Sequence, residues 1–415
     1  MVFKQWAFPL FIMRANQEIT YYAITIFLIT FATRATNNMI GTTAPLLARY
    51  DLLFPNYLVG FLASLVTTVN LVSILFINAR LPGSTRRLLF IISSALIITL
   101  LPMYFLANSL SIWLVSILTG FAYGLIMPNI MTSASIVGDQ LTAERLLVLY
   151  TLALSTSLVV GPLFETYLLT RFGYRYVFLL FIPLAILSFA LSFRVRFPPD
   201  PKRTRRSIDM GKILRNRGGL VSAMLANSTY SIPFIVFTAF IAIYAQSIYH
   251  VSRYLAYFSF VPFFLTSFLT RLYLTIRVPR GGLFTPMLIS IVLTIIGITT
   301  LYLSPNYAVF IASMTILGIP HGSVYPLSTL MISRGGTSIE ERNAANSYFS
   351  AFQGILGIVV PALFGVSADL IGIRLSVVLL LIPVIAMATV FIKFYLSSGL
   401  EQFRPGILSF HSGDS

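Results

Sequence analysis

Apolar stretches long enough to cross a bilayer recur about twelve times along this chain, and that recurrence leaves few folds open. Crossing about 30 Å of hydrocarbon takes about 20 helical residues. Such stretches run near 19–47, 57–78, 87–107, 110–136, 143–170, 174–197, 218–248, 252–276, 282–304, 306–334, 341–370 and 374–397. In lipid every backbone N–H and C=O must be satisfied internally, so each stretch reads as a helix. Of the 415 residues, 57% are hydrophobic and only 10% charged, too little polar surface to coat a water-soluble globule. The first stretch is too long for a signal-peptide core and no small-residue cleavage site follows it, so it reads as a retained span. The expectation is an all-α integral membrane protein of twelve transmembrane helices.

The two halves repeat each other. Gly120-Phe-Ala-Tyr-Gly-Leu-Ile-Met-Pro128 returns 198 positions later as Gly318-Ile-Pro-His-Gly-Ser-Val-Tyr-Pro326, with the spacing Gly-x3-Gly-x3-Pro kept. Other landmarks recur at nearly the same offset: Arg80 with Arg277, Glu144-Arg145 with Glu341-Arg342, Pro162 with Pro361, and Gly173-Tyr-Arg175 with Gly372-Ile-Arg374. A parallel duplication in an apolar chain points to two pseudo-symmetric six-helix bundles that bind a solute between them and rock. The bundles are read as 1–197 and 218–397, joined by the basic, Pro-rich segment 198–217 and followed by a cytoplasmic tail, 398–415.

The formal charge of +16 falls mostly on connections flanking spans. Placing both termini in the cytoplasm puts Arg80, Arg86, Arg87, Arg145, Arg277, Arg280, Arg334 and the run from Arg194 to Arg217 inside. Only Arg49, Arg171, Arg175, Arg253 and Arg374 then lie outside. This follows the positive-inside rule, in the cytoplasmic membrane, with anionic headgroups as lipid partners and no nucleic acid. Zero cysteines exclude disulfides and thiolate metal sites. No metal or cofactor is expected, and the protein reads as a monomer.

Three segments resemble the major facilitator superfamily. Arg171-Phe-Gly-Tyr-Arg-Tyr-Val-Phe is similar to that family's Gly-Trp-Arg-Trp-Phe segment between spans five and six, and Gly161-Pro162 to its Gly-Pro helix motif. Arg80-Leu-Pro-Gly-Ser-Thr-Arg-Arg sits where the family carries Asp-Arg-x-Gly-Arg-Arg. The loop aspartate is absent, with Asn78 and Pro82 nearby. Glu165-Thr166 replaces the glycine pair that often follows Gly-Pro. Ser116 stands where proton-driven drug exporters usually carry arginine. The resemblance implies an MFS fold and secondary transport, and gives no support for the drug antiporter branch.

Polar residues inside the spans are the candidates for chemistry, because an ionisable group in a membrane helix costs free energy unless it serves a cavity or a partner. Arg34, followed by Asn37 and Asn38, either lines a cavity and meets solute, or makes a structural ion pair or snorkels. Glu165 is the one carboxylate read inside a span. Desolvation raises a carboxyl pKa, which suits proton exchange, whereas a pair with Arg171 or Arg175 would hold it ionised. Tyr123 and His321 occupy equivalent places in the two copies. With Tyr325, Asn129, Asn227 and Tyr230 they form the candidate substrate lining, and His321 is also a candidate proton switch.

A gate is read from Arg80, Arg86 and Arg87 facing Asp139 and Glu144, and Arg277 and Arg280 facing Glu341. Exposed pairs of this kind are worth about 0–1 kcal/mol each, which suits a latch that opens. Gly161, Pro162, Arg175 and Pro361 would shape the gating helices. The function read from these features is secondary active transport of a small organic solute by alternating access, linked to protons. Proton-linked efflux of amphiphilic compounds is the alternative within transport. A transport-incompetent sensor or a membrane-embedded enzyme is the alternative outside it. No Gly-x4-Gly-Lys-Ser/Thr loop is present, so ATP hydrolysis is not the driver.

Overall fold

The computed structural model describes residues 17–136, 140–197, 217–277, 279, 282–335 and 339–397. Among the described residues there is no strand, and twelve helices are long and apolar enough to cross a membrane. They are α1 (Gln17–Asp51), α2 (Asn56–Arg80), α3 (Gly83–Phe105), α4 (Ser111–Ser135), α5 (Thr142–Arg171), α6 (Tyr174–Ser192), α7 (Gly218–Tyr249), α8 (Arg253–Ile276), α9 (Phe284–Leu303), α10 (Tyr307–Gly335), α11 (Ala345–Ile371) and α12 (Ile373–Ser397). Apolar length alone located them to within a few residues. The linker 198–216 and the tail 398–415 lie outside the described residues.

Three of the helices are interrupted just ahead of a proline. It removes one N–H from the ladder and its ring crowds the carbonyl four residues back. α6 breaks at Phe181 ahead of Pro183, and α12 breaks at Leu380 ahead of Pro383, a repeat at an offset of 200. α8 breaks at Ser259, ahead of Pro262.

The chain clusters into two compact units that are not simply its two halves. Unit 1 holds α1 to α6 together with Ile235–Val261 and Gly357–Ile373. Unit 2 holds α7 up to Phe234, Pro262–Leu356, and α12 from Arg374 on. The dividing points inside α7 and α8 fall beside Pro233 and at Pro262, where the hydrogen-bond ladder is already weakened.

The duplicated glycines do the same work in each unit. In unit 1, a methyl on Gly120 would strike Val66 and Asn70, and one on Gly124 would strike Asn70 and Ser73, so α4 lies backbone-close to α2. In unit 2, Gly318 faces Phe263 and Thr266, and Gly322 faces Ser267 and Thr270, which sets α10 equally close to α8. Small residues at i, i+4 allow this approach in a membrane, where dispersion rather than water exclusion drives helix association.

The repeated arginine also has one role in both copies. At the start of α6, Arg175 donates to the carbonyls of Phe105 and Ala107 at the end of α3, at 2.8 Å each, and pairs with Asp51 at 3.3 Å. At the start of α12, Arg374 donates to the carbonyls of Tyr302 and Ser304 at the end of α9, at 3.1 and 3.2 Å. Cations at a helix C-terminus satisfy its orphan carbonyls and oppose its dipole. Arg175, read from sequence as a gating residue or a partner for Glu165, is placed here as a clamp on the end of α3.

Candidate functional site

Glu165 sits one turn beyond Gly161 and Pro162 on α5, six residues from the helix end, and is completely buried. Its Oε2 accepts a hydrogen bond from the Tyr257 hydroxyl on α8 and one from Thr43 Oγ1 on α1 at 3.1 Å. Tyr257 Oη also lies 2.5 Å from Thr42 Oγ1, whose hydroxyl bonds the carbonyl of Asn38 at 2.8 Å. Among the described residues Glu165 makes no ion pair and its Oε1 has no hydrogen-bond partner. The expected alternative, a pair with Arg175, is not formed, because Asp51 and two carbonyls take that guanidinium. Gly161 leaves space: a methyl there would meet Glu165 Oε1 only at 3.9 Å.

Arg34 lies seventeen residues into α1, about 25 Å along its axis at 1.5 Å per residue. Among the described residues it makes no ion pair, and its electrostatic neighbours are Tyr123 on α4 and Tyr150 on α5. Tyr123 is buried, and its hydroxyl has no hydrogen-bond partner among the described residues. Its ring lines a cavity of about 10 Å³, large enough for one water, with Thr33, Thr36, Ser94 and Ser188. Thr33 and Ser188 close one wall through a 2.7 Å bond between α1 and α6. One turn from Arg34, the Asn38 amide nitrogen is also buried without a partner. Asn37 is half-buried on the same helix.

Asn129, a sequence candidate for substrate contact, is engaged in packing. Its amide donates to Asn78 Oδ1 at 2.7 Å and to the carbonyl of Leu125 at 2.6 Å. Asn78 is the residue standing near the place of the family's loop aspartate, and here it ties the end of α2 to α4.

In unit 2, His321 on α10 stacks on Phe234 with centroids 4.1 Å apart and on Phe263 at 5.1 Å. Tyr230 at 5.4 Å and Phe264 at 5.7 Å complete the ring of aromatics. Tyr230 is buried with no partner for its hydroxyl among the described residues, and Asn227 is buried one turn before it. Tyr325 stays half exposed and meets Phe349 at 5.7 Å. The structure adds a residue that sequence reading passed over: Arg271 on α8, an electrostatic neighbour of both Tyr230 and Tyr325. The signal was available, since Arg271 is a cation inside an apolar span, as Arg34 is.

The charged gate of the sequence reading is described only in part. Asp139 and Arg280 lie outside the described residues, as does the side chain of Glu341. Arg80 rests over the Phe76 ring at 5.4 Å, Arg86 is half-buried, and Arg87, Glu144 and Arg277 are exposed. The ion pairs described lie elsewhere: Arg175 with Asp51, and Arg196 with Glu18. Pro361 is buried against Gly60 of α2, both within unit 1.

Comparison with known proteins accords with this architecture. A family model described as Major Facilitator Superfamily matches residues 26–334. No curated protein matches the sequence. A bacterial homolog of the human lysosomal transporter Spinster, in an inward-facing and unoccupied conformation, is similar in fold with a TM-score of 0.72 at 15% identity, over 93% of this chain and 98% of that one. The nucleoside transporter NupG follows at 0.69 and 14% identity, over 90% and 98%. A D-xylose-proton symporter gives 0.68 at 14% identity, over 91% and 97%.

Proposed function

The chain belongs to the major facilitator superfamily, and on that premise we propose that it is a proton-linked secondary transporter of a small organic anion. The observation that carries the reading is Glu165, a buried carboxyl with no counter-charge among the described residues. Its hydrogen-bond partners stand on two other helices, α1 and α8. When α8 separates from α1 and α5, the carboxyl loses Tyr257 and changes solvation. A change of hydrogen bonding and solvation alters proton affinity, and that is how a conformational step is coupled to a proton. One of the similar folds is a D-xylose-proton symporter, which supports a reading in which this architecture couples to protons.

Solute class follows from the cations. Arg34 sits inside its span and makes no ion pair among the described residues, and Arg271 sits inside another span. A guanidinium held inside a membrane helix favours a ligand that brings negative charge. Tyr123, Asn38 and Tyr230 offer polar groups without partners among the described residues, and the aromatics around His321 offer apolar area for an organic body. Placing the termini in the cytoplasm makes the end carrying the α1–α2 connection the external one. That same aromatic surface is what favours the second reading, efflux of amphiphilic compounds.

The test is flux into proteoliposomes of purified protein, with organic anions first selected by thermal stabilisation. A pH gradient should drive accumulation in the native protein. Glu165→Gln should abolish the accumulation while leaving solute exchange across equal pH intact. Accumulation retained by Glu165→Gln removes Glu165 from coupling. Stabilisation by a ligand with no flux of any kind points to a sensor on this fold.

A further inference from the structure

Helix α2 starts without a cap of its own. Pro55 occupies the cap position and has no side-chain donor or acceptor; its carbonyl takes the N–H groups of Leu58 and Val59, and those of Asn56 and Tyr57 are left without a local partner. Asp369, near the end of α11 and more than 300 residues away, supplies it. Its Oδ1 accepts from the backbone N–H of Asn56 at 3.1 Å and from the Asn56 side-chain amide at 2.8 Å. Its Oδ2 accepts from the N–H of Tyr57 at 2.7 Å.

Below this cap the two helices lie close together along a seam whose α11 residues are spaced by four. Gly357 faces Thr67, Pro361 faces Gly60, and Gly365 faces Asn56. A methyl on Gly60 would run into the Pro361 carbonyl, and one on Gly365 would run into the Asn56 carbonyl, backbone atoms that cannot rotate away. All of these residues belong to unit 1. The seam is thus a strip of small residues closed at its end by one carboxylate on a helix N-terminus.

We propose that Asp369 is the latch of this end of the transporter: it holds α11 against α2 by capping α2 in the closed state and must release it for the end to open. The inference rests on the reading that the protein alternates between states. A small-residue seam supplies shape but little that resists sliding or separation, since lipid tails compete for the same dispersion contacts. The cap adds direction. Its hydrogen bonds to charged oxygen are lost as soon as the helices part, while its exposure to water keeps that loss small enough to be reversible. No family of charged pairs across the ends is needed for this; one side chain and one helix end suffice.

The protein has no cysteine, so spin labels can be placed at will. Phe61→Cys on α2 and Leu370→Cys on α11, both exposed, report the separation of the two helices by pulsed electron spin resonance. Asp369→Ala should raise the ratio of long to short distances by about two- to thirtyfold, the range expected for loss of a helix cap. Asp369→Asn keeps one acceptor oxygen and loses the charge, so it should fall between. Gly365→Ala should open the seam in the same direction by wedging it. A ratio unchanged within twofold in Asp369→Ala overturns the latch. If that variant does not fold, an unchanged ratio in Asp369→Asn overturns it equally. No solute is required, so failure to find flux would count against transport and leave the latch to be judged by the distances.

Discussion

Replacing Tyr257 by Phe deletes one oxygen and leaves the ring, so it isolates the bond network around Glu165. The hydroxyl serves two partners, donating to Glu165 Oε2 and lying 2.5 Å from Thr42 Oγ1. A buried hydrogen bond contributes about 0.5–1.5 kcal/mol, and one to a charged group about 1.5–3 kcal/mol. Losing the pair should weaken the attachment of α8 to α1 and α5 by about 2–3 kcal/mol, which is about 30- to 150-fold in the local opening equilibrium. Hydrogen exchange reads that equilibrium directly when closing outpaces exchange. Peptides covering the start of α8 and the end of α1 should therefore exchange about 30- to 150-fold faster in Tyr257→Phe. Glu165→Gln keeps a carbonyl to accept the Tyr257 hydroxyl, so its exchange should change far less. Less than threefold acceleration in Tyr257→Phe, with Glu165→Gln equal to it, would refute the assignment of this network as the element that holds α8.

Three further outcomes concern the clamping arginines and the glycines. Arg175→Ala and Arg374→Ala each strip a helix end of two carbonyl bonds, and each should lower stability by about 1–3 kcal/mol, seen as a lower melting temperature in detergent with Lys only partly restoring it. Gly322→Ala should destabilise by about 1–3 kcal/mol through overpacking, since the new methyl meets the Ser267 carbonyl. Gly161→Ala should be near neutral in the same melting assay, because the new methyl would make only ordinary contacts, 3.9 Å from Glu165 Oε1 and 4.0 Å from Ala35.

The glycine result shows how differently the two kinds of glycine had to be read. Gly120, Gly124, Gly318 and Gly322 were legible from their spacing and their repetition, and each proved to be a point of backbone approach. Gly161 carried a motif resemblance, yet its surroundings would accept a methyl. Repetition reports a constraint that both copies share, whereas a lone motif reports only that the position is occupied.

Residue by residue, the candidate site divides along the same line. Arg34, Glu165 and His321 were visible because a polar or charged side chain stands out in an apolar span. What each of them touches was not. Asn129 looked like a lining residue and is held by Asn78; Arg175 looked like a gate and clamps the end of α3; Arg271 and Asp369 were not singled out at all.

By itself the amino-acid order settled the number of spans, their approximate limits, their class and the duplication, because each depends on local chain length against a bilayer thickness or on direct repetition. The tertiary structure alone decided which side chains meet. These helices are apolar nearly all round, so their sequences carry little mark of which face turns inward. The partners of Glu165 come from residues 122 and 92 positions away, and those of Asp369 from more than 300. Such pairings are set by how whole helices pack and rotate against each other, a property of the assembled bundle that no single stretch of chain contains.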